Sequence, residues 1–221
     1  MTYVKICGVT TYRDALMCAK AGADMLGLNF YSKSPRYITP DDAATLCRSL
    51  RSALSDDCPV LVGVFVNATV DEVARTIQNV GLDFAQLSGD ESIAMVAGLL
   101  GRAYKAIRPS SKAYALEDAD YYAPHFPSSE KSPSLLVDAY HPDLYGGTGE
   151  QASADVVLAL KERVPRLMLA GGLNPDNVGE RVHNMAPWGV DVASGVEDGT
   201  PGIKSEAKVQ AFIAAAKGLE S

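Results

Sequence analysis

Apolar positions along this chain follow two alternating rhythms. Short unbroken runs are separated by longer stretches in which apolar residues return every three or four positions. The short runs predict strands at residues 3–7, 25–30, 60–65, 84–87, 103–107, 134–138, 166–170 and 190–193, and the longer stretches predict helices between them. Polar punctuation marks the helix ends. Thr11 precedes Asp14 in a capping-box-like arrangement, Thr39-Pro40-Asp41-Asp42 offers a cap, a first-turn proline and early acids, and Asn174-Pro175-Asp176 repeats that pattern. Gly22, Gly81 and Gly218 stand where helices should stop. Strand–helix units with apolar strands require a parallel sheet covered by helices, and about eight of them in this length favour closure into a (β/α)8 TIM barrel, an α/β fold, as one domain over residues 1–221. An open doubly wound sheet would carry a glycine-rich GxGxxG turn after an early strand, and none is present. The Pro- and Ser-rich stretch 124–134 reads as a surface loop on the face opposite the chemistry.

Composition narrows the class without changing this picture. With 47% apolar and 21% charged residues, neither disorder nor a membrane class is indicated. A formal charge of −7 and the lack of a long Lys/Arg cluster argue against a nucleic-acid surface. No apolar stretch approaches the roughly 20 residues that span a bilayer, and the N-terminus lacks an export pattern, so a cytoplasmic protein is expected. The cysteines Cys7, Cys18, Cys47 and Cys58 form no CxxC pair, and His125, His141 and His183 stand far apart, so no metal site is expected. Cys18 and Cys47 lie among alanines and leucines in helical stretches and read as small buried hydrophobes.

In such a barrel, chemistry gathers at the C-terminal ends of the strands. Cys7-Gly8 closes the first strand, Ser34-Pro35-Arg36 lies in the loop after the second, Asn67 follows the third, and Gln86-Leu87-Ser88-Gly89 ends the fourth. Arg108-Pro109, Asp138, Gly171-Gly172 and Ser194-Gly195 end the remaining four. The stretches "LAGGLNPDN" and "VDVASGVE" resemble a phosphate cup, in which glycines admit backbone N–H groups to an anion and Ser194 adds a hydroxyl. Tight turns alone would account for either loop. Both together, after strands seven and eight, point to phosphate.

Asp138 ends the apolar run "SLLVD" and precedes the "GGTG" segment at 146–149. It is either a cap or salt-bridge partner, or an acid that partial burial pushes toward protonation so that it can donate to a sugar oxygen. Arg36 is either a solvated charge or a guanidinium shaped to take a carboxylate through two parallel bonds. Packing, metal ligation, covalent nucleophile and acid–base group are all open to Cys7. Metal ligation lacks partners, packing does not suit the strand end that faces the chemistry, and no cysteine–histidine acyl-transfer pattern is evident.

Taken in order, "KICGVT", "FYSKSPRYI", "VGVFVN", "QLSGDE", "VDAYHPDLYGGTGE", "LAGGLNPDNV", "VDVASGVE" and "PGIKS" resemble the phosphoribosylanthranilate isomerase family of tryptophan biosynthesis nearly end to end. The resemblance implies a barrel that performs an Amadori rearrangement of N-(5-phosphoribosyl)anthranilate without a cofactor. It implies Cys7 as general base and Asp138 as general acid, Arg36 on the anthranilate carboxylate, and Gly171, Gly172, Ser194 and Gly195 on the phosphate. Gln86, Gly147 and Asp191 complete the implied substrate-binding set. The expected partner is that small molecule, with no nucleic acid or membrane, and the chain acts as a monomer or homodimer. An ordinary thiol with a pKa near about 8.5 is only a few per cent ionised at neutral pH, so the site should stabilise the anion, with help from the turn that leads into the first helix. Two positions depart from the family pattern. Ser88 replaces the usual histidine of QLHG, and Ala152-Ser153-Ala154 replaces an FDW-like stretch, with Ser153 or Asp155 expected to cap the following helix.

Rival readings fit less well. The histidine-pathway isomerase uses two aspartates where this chain has a cysteine and an aspartate, and indole-glycerol-phosphate synthase needs a lysine and glutamate that "KICG" does not supply. A phosphate-binding barrel without activity would not need both Cys7 and Asp138.

Overall fold

In the computed structural model, which describes residues 2–138 and 154–218, eight parallel strands close into a barrel in sequence order. The strands are β1 (Tyr3–Cys7), β2 (Met25–Asn29), β3 (Val60–Phe65), β4 (Phe84–Leu87), β5 (Ala103–Ile107), β6 (Leu135–Val137), β7 (Leu167–Leu169) and β8 (Gly189–Val192). Closure is made where β1 pairs β8, with Tyr3 opposite Gly189 and Val4 opposite Val190. Around the barrel stand α1 (Tyr12–Lys20), α2 (Pro40–Leu54), α3 (Val70–Val80), α4 (Ile93–Gly98), α5 (Lys112–Tyr122), α6 (Ala154–Lys161), α7 (Val178–Met185) and α8 (Glu206–Lys217). None of the described helices is long and apolar enough to cross a membrane.

Strand alternation divides the molecule into two apolar regions. Val4, Ile6, Leu26, Leu28 and Leu61 face outward into the layer between strands and helices. Met25, Val62, Tyr104, Leu136 and Met168 form a separate interior cluster. The same alternation turns Lys5, Cys7, Gln86 and Asp191 inward, so the barrel's inner face becomes polar on one side.

Most helix signals act as expected. The Thr11 and Thr39 side chains accept from the backbone N–H of Asp14 and Asp42, Thr69 and Glu72 form a full capping box, and Gly81 and Gly218 end their helices in the left-handed region. The 174–176 signal differs. Asn174 Oδ1 accepts from the N–H groups of Asp176 and Asn177, closing a turn on itself, and α7 begins only at Val178. Strands β6 and β7 are also shorter than the apolar runs that predicted them. Backbone bonding nevertheless continues to Asp138, whose N–H donates to Ile107 O at 2.9 Å.

A buried ion pair shapes the loop after β4. Lys105 Nζ donates to Glu91 Oε2 (3.0 Å) and to the carbonyls of Leu87 and Gly89, while Glu91 Oε1 accepts from the N–H groups of Asn67 and Gly89. Asn67, expected at the mouth, joins the third and fourth loops and does not line the cavity described below. Lys105→Met strands the Glu91 carboxylate without its cation, so unfolding free energy measured by urea titration should fall by about 3–5 kcal/mol. A loss below about 1 kcal/mol would show that the pair is not what holds this loop.

Candidate active site

The βα loops enclose a cavity of about 370 Å³ at the C-terminal mouth of the barrel. Cys7, Arg36, Gln86, Asp138, Gly171, Gly172, Asp191 and Ser194 all line it. Gly147 lies outside the described residues, as do the rest of 146–149, His141 and Ser153.

Cys7 is the last residue of β1 and is almost wholly buried. Gly8 follows with φ +71°, and a Cβ on it would stand 2.4 Å from Arg36 Cδ, so glycine both permits the turn and lets the arginine stem lie across it. Burial pushes the Cys7 thiol above its ordinary value; the Lys5 charge works against that, the Asp191 carboxylate adds to it, and Lys204 opposes it. Burial thus outweighs the lysine charges at the thiol, where sequence led to the expectation of a stabilised anion, and the counter-charge comes from lysines.

Beneath Cys7 lies a polar floor. Lys5 is completely buried, and its Nζ donates to Gln86 Oε1 (2.9 Å) and Asp191 Oδ1 (3.0 Å). Tyr104, also fully buried, donates its hydroxyl to the same Gln86 oxygen (3.1 Å). Gln86 Nε2 donates to Ser88 Oγ (3.1 Å), so the serine that departs from the family pattern lies on the cavity wall as part of this network. With Oε1 accepting from Lys5 and Tyr104, Gln86 keeps one amide proton without a partner among the described residues.

Arg36 reaches the mouth, but one edge of its fork is already committed. Nε and Nη2 donate to Glu197 Oε1 and Oε2 at 2.7 and 2.8 Å. Burial works against the Glu197 carboxylate, yet the Arg36 bonds, the Gly202 N–H and the Lys204 charge hold it below the usual glutamate value. Among the described residues Nη1 has no partner, so that edge is what Arg36 offers the cavity. The loop is preset from below: Asn29 Nδ2 donates to Ser34 Oγ, which accepts the Arg36 N–H. Arg108 and Lys33 add two further cations to the wall.

Asp138 enters from β6, separated from β1 in the ring order by β7 and β8, with its backbone held by Ile107. Gly171 and Gly172 follow β7 with φ +92° and +60°, and Asn177 Nδ2 donates to Gly172 O. Ser194 opens a short 3-10 turn after β8. Gly195, expected to bind directly, does not line the cavity. A Cβ on it would lie 1.9 Å from Leu173 O, so it is glycine that lets the seventh and eighth loops touch.

Two residues escaped the sequence reading. Lys5 carries no local signal except its inward register two positions before Cys7, and Glu197 was visible only as the last letter of "VDVASGVE".

A profile described as N-(5′-phosphoribosyl)anthranilate (PRA) isomerase matches residues 4–215. An N-(5′-phosphoribosyl)anthranilate isomerase of Citrifermentans bemidjiense is 46% identical over 217 residues, 98% of each chain. The crystal structure of phosphoribosyl anthranilate isomerase from Thermotoga maritima superposes with a TM-score of 0.85 at 34% identity, over 99% of this chain and 100% of that one. A phosphoribosyl anthranilate isomerase in complex with reduced 1-(o-carboxyphenylamino)-1-deoxyribulose 5-phosphate superposes with a TM-score of 0.82 at 33% identity, again over 99% and 100%.

Proposed function

Because the chain belongs to the N-(5′-phosphoribosyl)anthranilate isomerase family, we propose that its cavity performs the Amadori rearrangement of N-(5′-phosphoribosyl)anthranilate, with Cys7 as general base and Asp138 as general acid. The observation that carries this reading is the presence of a thiol and a carboxyl group on the wall of one cavity, from strands separated by two others, together with cationic side chains and a glycine-rich double loop.

The residues fit the steps without a redox partner. Asp138 gives its proton to the ribose ring oxygen; the C1–O bond breaks as the anilino nitrogen donates its pair, leaving an open-chain Schiff base. Iminium character at C1 acidifies the C2–H bond, the Cys7 thiolate takes that proton, and the electron pair moves to give an enolamine. Tautomerisation returns a proton to C1 and leaves a ketone at C2. The phosphate sits by Gly171, Gly172 and Ser194, with Gly195 bringing those loops together, and the anthranilate carboxylate takes the Nη1 edge of Arg36. Gln86 and Asp191 face the sugar hydroxyls, and Gly147 belongs to the same substrate-binding set. We place the reaction in the cytoplasm, with the chain as a monomer or homodimer.

Adding purified protein to freshly prepared phosphoribosylanthranilate should abolish the substrate's fluorescence at a catalytic rate. Unchanged fluorescence, together with turnover of a histidine-pathway aminoaldose, would transfer the assignment to that isomerase. Arg36→Ala removes a charged hydrogen-bond donor from the bound carboxylate, so KM should rise about ten- to hundredfold with kcat little altered. Steady-state kinetics with unchanged KM would leave Arg36 as a partner of Glu197 only.

A further inference from the structure

Lys5 sits at the most expensive place in the molecule for an ammonium group. It is fully buried inside the barrel, whose interior also holds the apolar cluster of Met25, Val62, Leu136 and Met168. Desolvating such a charge costs several kcal/mol, and apolar replacements of buried ion pairs are often neutral or stabilising, so stability alone does not explain it. Its direction offers a reason. Cys7 Sγ and Lys5 Nζ converge on one point beside β2: a Cβ on Gly27 would stand 2.8 Å from the sulfur and 3.1 Å from the nitrogen. Glycine at 27 therefore keeps open the space in which the two groups meet. Two of the three ammonium protons go to Asp191 and Gln86, which leaves the third for the sulfur.

We propose that Lys5 is the positioning residue that holds the sulfur of Cys7 as its reactive anion, its ammonium locked by Asp191 and Gln86 and facing Sγ beside Gly27. The catalytic value of this contact rests on the assignment of Cys7 as base. Other charged or titratable groups face the sulfur as well: Asp191 from β8, Tyr104 from β5, Arg36 from the loop after β2, Lys204 from the segment before α8, and Asp138 across the cavity. Burial is the largest single influence on Lys5 and by itself would discharge it, but Asp191, the Cys7 sulfur and Tyr104 together overcome it and keep the lysine charged, so Lys5 reaches the sulfur as a cation throughout the pH range of the assay.

The test is the pH dependence of Cys7 alkylation by iodoacetamide, followed on the Cys7 peptide by mass spectrometry in wild type and Lys5→Met. Loss of the cation removes attraction and leaves Asp191 facing the sulfur, and both effects disfavour the anion. The alkylation midpoint should therefore rise by about one pH unit or more, roughly a tenfold slower reaction at neutral pH, and kcat/KM at neutral pH should fall with it. An unchanged midpoint in folded Lys5→Met overturns the proposal. A midpoint that moves while kcat/KM is unchanged supports the Lys5–Cys7 contact and removes Cys7 from the role of base. If Lys5→Met does not fold, Gly27→Ala serves instead, because its methyl group separates the two atoms without altering any charge. The same upward shift is expected there, and its absence overturns the proposal.

Discussion

Cys7→Ser is expected to lower kcat by about 10²–10⁴-fold, the usual contribution of a positioned base, with the circular dichroism spectrum unchanged. Serine nearly matches cysteine in size, and the site is walled by Gly27, Lys5 and the Arg36 stem, so the substitution opens little space. What disappears is basicity. A serine hydroxyl is not ionised to any useful extent at working pH, even beside Lys5, and cannot take the C2 proton. Residual turnover would come from Asp138 and from binding. Turnover of Cys7→Ser at the wild-type rate would remove the thiol from the mechanism. The wild-type enzyme carries a linked signature. A thiol pushed up by burial is mostly protonated at neutral pH, and its thiolate fraction grows about tenfold per pH unit until the pKa is reached, so alkylation of Cys7 by iodoacetamide should accelerate from pH 7 into the alkaline range. An alkylation rate that stays flat from about pH 7 to 9 would contradict a thiol raised by burial.

Asp138→Asn should produce a loss of similar size for the opposite reason. The amide keeps the shape of the carboxyl group but has no acidic proton for the ring oxygen, so the furanose stays closed. The two variants separate in their isotope effects. With substrate deuterated at C2, Asp138→Asn makes ring opening rate-limiting and pulls the primary effect on kcat toward unity, whereas Cys7→Ser makes proton abstraction slower and enlarges it. Equal isotope effects in both variants would mean that the two groups do not divide the chemistry as assigned. Because the Asp138 N–H remains bonded to Ile107, the substitution should leave the end of β6 in place.

Legibility varied with the distance over which the governing interaction acts. The bounds of β1, β3, β4 and β5 follow the apolar runs closely, because inward and outward positions are both buried there and the flanking polar residues mark the ends. At 174–177 the reading placed a helix start too early. Asn174 can cap a helix or close a turn with equal local chemistry, and the bond from Asn177 to Gly172 favours the turn. The candidate site was legible as a set of residue types at strand ends: Cys7, Asp138, Arg36 and the two glycine-rich loops lead to one mouth because a closed parallel barrel sends every strand's C-terminus to the same face.

The sequence by itself determined the strand–helix alternation, the closure it implies, the family, and most of the residues that line the mouth, Asn67 and Gly195 excepted. All of these are carried by periodicity, by caps within a few residues and by motifs in order. Only the tertiary structure decided what those residues touch. Lys5 meets Asp191 and Arg36 meets Glu197 across 186 and 161 positions of chain, Gly195 touches Leu173 from the neighbouring loop, and Gly27 leaves the space where a thiol and an ammonium face each other. Such pairings arise when the first and last strands join, and burial then sets their charge states. No local pattern encodes either effect, because both depend on which distant groups share the same dry volume.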